Sequence, residues 1–73
     1  MTDKEKVAAL ASAVPVGSRW QHIKRETRYT VSGHLMIEST RQPGVRYVAD
    51  ADGLEIVRDG TEFTDGRFVM VGG

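Results

Sequence analysis

One stretch of the chain interleaves aromatic rings with cations, and this mix has the clearest chemistry in the sequence. Its members are Arg19, Trp20, His22, Lys24, Arg25 and Tyr29. Proteins that bind single-stranded nucleic acid stack bases on aromatic rings and contact phosphates through Lys and Arg. The stretch therefore predicts a nucleic-acid-binding groove. Against this prediction, the ten basic residues are balanced by ten acidic ones, whereas a dedicated nucleic-acid binder is usually basic.

The single tryptophan has a second interpretation. Trp20 can bury a large apolar area while its indole N–H still reaches a hydrogen-bond partner. This favours an anchor of the core or of its rim over a platform for a ligand. If Trp20 and Tyr29 both belong to the core, the stacking surface that nucleic-acid binding requires is weakened.

Metal binding and catalysis have little support in the sequence. His22 and His34 are the two histidines, and there is no cysteine to complete a zinc site. Residues 50–53 begin like a calcium loop, but its twelfth position is Thr61 where a bidentate glutamate is needed. The serines lack the context of a nucleophile elbow. A chain of 73 residues also leaves little volume for a water-excluding pocket. We therefore expect no metal, no cofactor and no enzymatic activity.

A long strand is predicted over residues 28–38. Its apolar positions alternate, as in an antiparallel strand with one buried face: Tyr29, Val31, Gly33, Leu35 and Ile37. Gly33 predicts a bend or bulge at which the sheet curls. The alternation turns the other residues outward, and arginines of later strands are candidates to join them. The predicted protein-binding set is Arg28, His34, Met36, Arg46 and Arg58, with an ordinary solvated face as the alternative.

Charge is unevenly distributed along the chain. Residues 18–47 contain six basic and two acidic residues, a net charge of +4, and residues 48–66 contain one basic and six acidic residues, a net charge of −5. The two segments either neutralise each other across neighbouring strands or form a dipolar surface that orients a charged partner.

The N-terminal segment is predicted to be a helix over residues 2–14. Thr2 and Glu5 have capping-box spacing, and Pro15 ends the helix. Its narrow apolar stripe consists of Val7, Leu10, Ala11 and Val14. A helix of this length is marginal alone, so it either docks on the sheet or forms a loose arm.

The remaining strands are predicted over residues 16–24, 45–50, 54–57 and 68–71. A polar loop over 25–28 joins the first to the long strand, and residues 43–44 form a type II turn. Residues 52–53 form a hairpin turn, and a compact turn surrounds Phe63. The fold class is mainly β, a small curled five-stranded antiparallel sheet or barrel with a short N-terminal α-helix. Residues 1–15 form the helix and linker, 16–71 one small barrel domain, and 72–73 a frayed end.

Several residues together resemble a family of small bacterial and phage domains of unknown function. That family has an aromatic residue, histidine and lysine spaced by two, then Tyr-x-Val, Val-x-Tyr, Trp-Val-Arg-Pro and a phenylalanine. The matching residues are Trp20, His22, Lys24, Tyr29, Val31, Val45, Tyr47, Val57, Arg58 and Phe63. Ile56 and Asp59 stand where the family has tryptophan and proline. The resemblance implies a small SH3-like β-barrel over residues 17–68 and no established activity.

The sequence thus predicts a non-enzymatic module that binds another protein, of phage or prophage origin and acting as an inhibitor of a host defence or regulatory complex. A single-stranded nucleic-acid-binding module is the first alternative, and a homodimeric assembly piece is the second. The lack of cysteine, of a signal peptide and of a long apolar run predicts a cytoplasmic protein with no membrane contact.

Overall fold

The computed structural model describes residues 1–72 and begins with the predicted helix, α1, over Asp3–Ala13. Thr2 is its N-cap: the Thr2 hydroxyl accepts from the Glu5 amide, and the Glu5 carboxylate accepts from the Thr2 amide. This capping box satisfies two amides that lack partners within the helix. Of the two alternatives the structure has the docked helix, because Leu10 packs on the core and Val14 is fully buried.

Five antiparallel strands follow α1: β1 at Arg19–His22, β2 at Arg28–Ile37, β3 at Gln42–Ala49, β4 at Glu55–Asp59 and β5 at Phe68–Gly72. A short helix, α2, spans Gly60–Phe63 between β4 and β5. The sheet order is β4-β3-β2-β1-β5, so β4 and β5 are its edges. Over residues 1–72 these edges do not pair with each other, and the sheet is open rather than a closed barrel. The predicted class, a curled five-stranded antiparallel sheet with an N-terminal helix, is confirmed.

A bulge in β2 reverses the two faces of the long strand. Val31 pairs with Tyr47 and Gly33 pairs with Arg46, so Ser32 is an extra residue on β2. The predicted irregularity at Gly33 is therefore confirmed. Because one inserted residue moves every later side chain to the other face, the predicted alternation fails beyond the bulge.

The bulge places His34 on the inner face, which carries the core, where it pairs with the buried Val45. The His34 Nε2–H donates to the Val14 carbonyl at 2.5 Å, so this ring holds the end of α1 on the sheet. Met36 shares that face. Leu35 and Ile37 lie on the opposite, outer face. The predictions that His34 and Met36 point outward and that Leu35 and Ile37 point inward are wrong.

Several predicted boundaries also change. Gly72 belongs to β5 and not to a frayed end, and Gly73 lies outside the described residues. The predicted turn at residues 43–44 is wrong, because Pro43 and Gly44 lie within β3 and the chain turns at residues 38–41, where Arg41 has φ of 56°. The first strand is shorter than predicted because residues 15–18 form a turn, with the Ser18 amide donating to the Pro15 carbonyl. The hairpin at residues 52–53 is confirmed, with φ of 75° at Gly53, although residues 50–54 separate its two strands.

The core is largely aromatic and lies between the inner face of the sheet and the two helices. Its buried members are Val14, Tyr29, Val31, Val45, Tyr47, Phe63 and Phe68. Phe63 comes from α2 rather than from the predicted turn, because Asp59 caps that short helix by accepting from the Thr61 amide. The Phe63 ring stacks on Phe68 with centroids 4.3 Å apart. Aromatic packing thus provides most of this small core.

No helix within residues 1–72 has the length and apolar character needed to cross a membrane.

Candidate functional site: a basic cleft

Cations from three separate segments surround an open cleft of about 830 Å³ at one end of the sheet. We call this the basic cleft, and its lining residues are His22, Ile23, Lys24, Arg25, Arg58, Gly66 and Arg67. They come from the end of β1 and the β1–β2 loop, from β4 and from the segment before β5. The site therefore depends on the fold rather than on one basic run of sequence.

The β1–β2 loop is held in a closed shape by backbone hydrogen bonds. The His22 amide donates to the Thr27 carbonyl at 2.8 Å, and the Glu26 amide donates to the His22 carbonyl at 2.7 Å. The Arg25 amide donates to Nδ1 of His22 at 3.2 Å. This bond uses the lone pair of Nδ1, so the neutral ring carries its proton on Nε2. The loop thus positions Lys24 and Arg25 at the mouth of the cleft.

Arg58 is held in the cleft by contacts with two aromatic residues of the core. Its Nε–H donates to the Tyr47 hydroxyl at 3.3 Å, and its guanidinium lies over the Phe68 ring at 5.4 Å from the centroid. The hydrogen bond to Tyr47 is the main reason that the pKa of Arg58 is raised. A guanidinium fixed by a hydrogen bond and a cation–π contact loses little freedom when an anion binds.

Arg67 has carboxylate neighbours of its own. Its guanidinium lies 3.1 Å from Asp65 and 3.5 Å from Glu62. By contrast, within residues 1–72 no carboxylate lies within ion-pair distance of Lys24, Arg25 or Arg58. Four cationic side chains line the cleft against these two neighbouring carboxylates, so the cleft keeps a positive potential.

Together with burial, the positive charge of the cleft contributes to a lowered pKa of His22. Partial burial is the first cause that lowers the pKa of His22 below its ordinary value of 6.5, followed by repulsion from Arg25, Arg58, Arg67 and Lys24. The ring also packs edge-on against Phe68, with centroids 4.9 Å apart. An anion in the cleft would reverse the electrostatic part of this shift and favour the imidazolium.

Only half of the predicted nucleic-acid set reaches this site. His22, Lys24 and Arg25 meet in the cleft. Tyr29 is buried and its hydroxyl bonds to Thr27 at 2.7 Å.

The other two members of that set also have internal roles. The Trp20 ring packs edge-on against Phe63 at 5.1 Å, and its Nε1–H donates to the Ser18 hydroxyl. Arg19 lies 2.6 Å from Asp50, an acidic residue of the other charged segment. That bond is the first cause of the lowered pKa of Asp50. Trp20 is therefore a partly buried anchor of the core rim, as its second interpretation predicted.

The predicted protein-binding set is divided among three places. Arg28 and Arg46 lie on the outer face, where Arg28 donates to Gln21. The Arg46 guanidinium lies across Gly33, which has no side chain to block it. His34 and Met36 lie on the inner face, and Arg58 lies in the basic cleft. These five residues therefore do not form one surface.

Arg67, Ile23 and Gly66 belong to the cleft and were absent from both predicted sets. The Ile23 amide donates to the Arg67 carbonyl at 2.9 Å, across the β1–β5 pairing. That pairing joins the first and the last strand of the chain, so no local sequence pattern specifies it. In the described part of the chain, no group of three His, Cys, Asp or Glu residues could hold a metal ion.

Comparison of the chain with protein-family models, with curated proteins and with solved structures finds no match. The resemblance to a family of small bacterial and phage domains stays a prediction.

Proposed function

We propose that the chain is a non-enzymatic module that binds another protein and that its basic cleft receives an acidic segment of that partner. One observation carries the proposal: Lys24, Arg25 and Arg58 converge on one cleft without a carboxylate within ion-pair distance in residues 1–72. Like charges brought together by a fold raise its electrostatic energy, and an anionic partner relieves that repulsion.

The composition of the cleft supports a carboxylate-rich ligand. Arg58 presents a planar fork of donors that matches a carboxylate in two-point geometry. Ile23 is 56% exposed beside these cations and offers apolar contact area. Interfaces commonly combine arginine with a small apolar centre, which fits this arrangement.

Single-stranded nucleic acid is the second candidate ligand, because His22, Lys24 and Arg25 do meet and phosphates are anions too. However, Tyr29 is buried and Trp20 is partly buried against Phe63, which reduces the aromatic surface on which bases could stack. Base stacking supplies about 1–3 kcal/mol per base in single-strand binders. Loss of this contribution favours the protein ligand.

We further propose that the open sheet is the SH3-like architecture that the family resemblance implies, and that the partner is a protein of a bacterial host. The support is the order of the matched residues along the chain, which include His22, Lys24 and Arg58 of the cleft.

Fluorescence anisotropy of a labelled hexaglutamate peptide tests the acidic-ligand proposal. The test variant is Lys24→Glu/Arg25→Glu, because both side chains lie in a loop and support no core contact. The matched control is Arg28→Glu/Arg46→Glu, which makes the same change in net charge on the outer face. We expect the test variant to weaken binding about tenfold or more and the control to weaken it less than about threefold. Binding should also fall with added salt.

Three outcomes contradict this proposal. Equal loss in the two variants would indicate nonspecific attraction to net charge. A larger loss in Arg28→Glu/Arg46→Glu would move the interface to the outer face. An oligothymidylate that binds more than about tenfold tighter than hexaglutamate would favour the nucleic-acid function.

A further inference from the structure

The β5 edge of the sheet is bare. β1 is the strand that pairs with β5, and the other side of β5 pairs with no strand in residues 1–72. Its sequence, FVMVG, contains no charged residue. Val69, Met70 and Val71 are 47%, 47% and 43% exposed. An edge strand with unpaired backbone groups and exposed apolar side chains is a template for another strand.

The opposite edge of the sheet, β4, differs from β5 because it contains charged residues. β4 carries Glu55, Arg58 and Asp59 within its five residues. Charged residues on edge strands oppose pairing with a further chain. The two edges of one sheet are thus unequal, and β5 is the one without this protection.

The bare edge is continuous with the basic cleft. Gly66 and Arg67 line the cleft and directly precede Phe68, the first residue of β5. The bond from the Ile23 amide to the Arg67 carbonyl extends the β1–β5 ladder into the cleft. A strand placed along β5 would therefore end beside the cations.

We propose that the partner's segment adds to the sheet as a sixth strand, antiparallel to β5, and that carboxylates following this strand enter the basic cleft. This inference rests on the proposed function and specifies how the acidic segment binds. Charge complementarity at the cleft and the uncharged edge identify the occupant as an extended chain with alternating apolar residues followed by acidic ones. Backbone hydrogen bonds along an edge supply affinity, while the side chains supply specificity. A second copy of β5 fits less well, because Phe68–Gly72 brings no carboxylate to the cleft.

The probe is an acetylated and amidated peptide of sequence TVTVTVDEE, titrated into the full chain by isothermal calorimetry. The first comparison peptide is DEETVTVTV, which reverses the order of strand and acids. The second has N-methyl groups on two adjacent amides, those of the central threonine and valine, so that whichever set of amides faces β5 loses a donor while every charge stays in place. We expect each comparison peptide to bind about tenfold or more weakly than the probe. Lys24→Glu/Arg25→Glu should weaken the probe by a similar factor.

The outcomes separate this inference from the proposed function. If N-methylation has no effect while Lys24→Glu/Arg25→Glu still weakens the probe, the cleft binds acids and the strand addition is wrong. If neither change has an effect, both proposals are wrong. If TVTVTVDEE and DEETVTVTV bind with equal affinity, the β5 edge and the basic cleft do not act as one binding surface and the inference is wrong. A dissociation constant of the probe weaker than about 1 mM would also overturn it. A chain that sediments as a dimer and binds no probe would identify a second copy as the occupant of the edge, and would also overturn the inference.

Discussion

Replacement of Phe63 by alanine should nearly unfold the protein. Phe63 is fully buried, and its ring contacts three others: Phe68 at 4.3 Å, Trp20 at 5.1 Å and Tyr47 at 5.3 Å between centroids. Truncation of a buried phenylalanine to alanine typically costs about 3–5 kcal/mol. A domain of this length has a total stability of about 4–11 kcal/mol. Phe63→Ala should therefore remove between about a quarter and all of the free energy of unfolding.

Urea unfolding followed by far-UV circular dichroism and by Trp20 fluorescence measures this loss. Val57→Ala is the control, because Val57 is 49% exposed on β4 and its truncation should cost less than about 0.5 kcal/mol. A loss below about 1 kcal/mol in Phe63→Ala would mean that α2 does not supply the centre of the core. The folded fraction of the variant should also bind hexaglutamate less well, because Phe68 supports Arg58.

Four further changes have defined outcomes. Gly60→Ala should lower the stability by about 1–3 kcal/mol, because its Cβ would lie 2.8 Å from Cδ2 of Leu10. Adding Leu10→Ala should reduce the loss that Gly60→Ala causes, and additive losses of stability in thermal melting would contradict the contact. Gly53→Val should cost more than about 1 kcal/mol in urea unfolding because φ is 75° there, and an unchanged midpoint would refute the turn. Val31→Asp should abolish the cooperative melt, since a carboxylate at this buried position has no partner. Binding of hexaglutamate should strengthen as pH falls toward the lowered pKa of His22, because a bound anion favours the imidazolium. His22→Gln should remove this pH dependence.

The same pKa shift affects stability in the absence of a ligand. Because the folded state lowers the pKa of His22, the unfolded chain takes up this proton at higher pH than the folded one. The contribution of His22 is therefore intact above pH 6.5 and decreases as pH falls through the folded-state pKa. Asp50 also has a lowered pKa, and its contribution decreases at lower pH, as pH falls below the ordinary value of 3.8.

Local patterns were sufficient to predict the fold class. The capping box of α1, the alternation in the first half of β2 and the turn at Gly53 each depend on residues close in sequence. Gly33 indicated the irregularity in β2, but the reversal of faces beyond it was not predicted, because the extra residue Ser32 leaves the polarity pattern almost unchanged. Leu35 and His34 fit an alternating strand equally well with or without that insertion. The positions of Leu35 and His34 depend on the register against β3, which is a contact between strands.

The candidate site was only partly predictable for the same reason. His22, Lys24 and Arg25 are neighbours in sequence, so their local charge was evident. Arg58 and Arg67 join them through β3–β4 and β1–β5 pairings, which local patterns do not determine. The aromatic residues misled the prediction of a nucleic-acid-binding groove. A small aromatic core next to a polar loop produces the same mixture of rings and cations in the sequence.

Backbone chemical-shift mapping can locate the surface that binds an acidic peptide. The experiment titrates unlabelled hexaglutamate into the ¹⁵N-labelled full chain and follows each assigned amide. We expect the largest shifts at residues 22–25 and 66–67 and at Arg58, with small changes at Arg28 and Arg46 on the outer face. The largest shifts at Arg28 and Arg46, or shifts of equal size at every exposed cation, would contradict the basic cleft as the binding site.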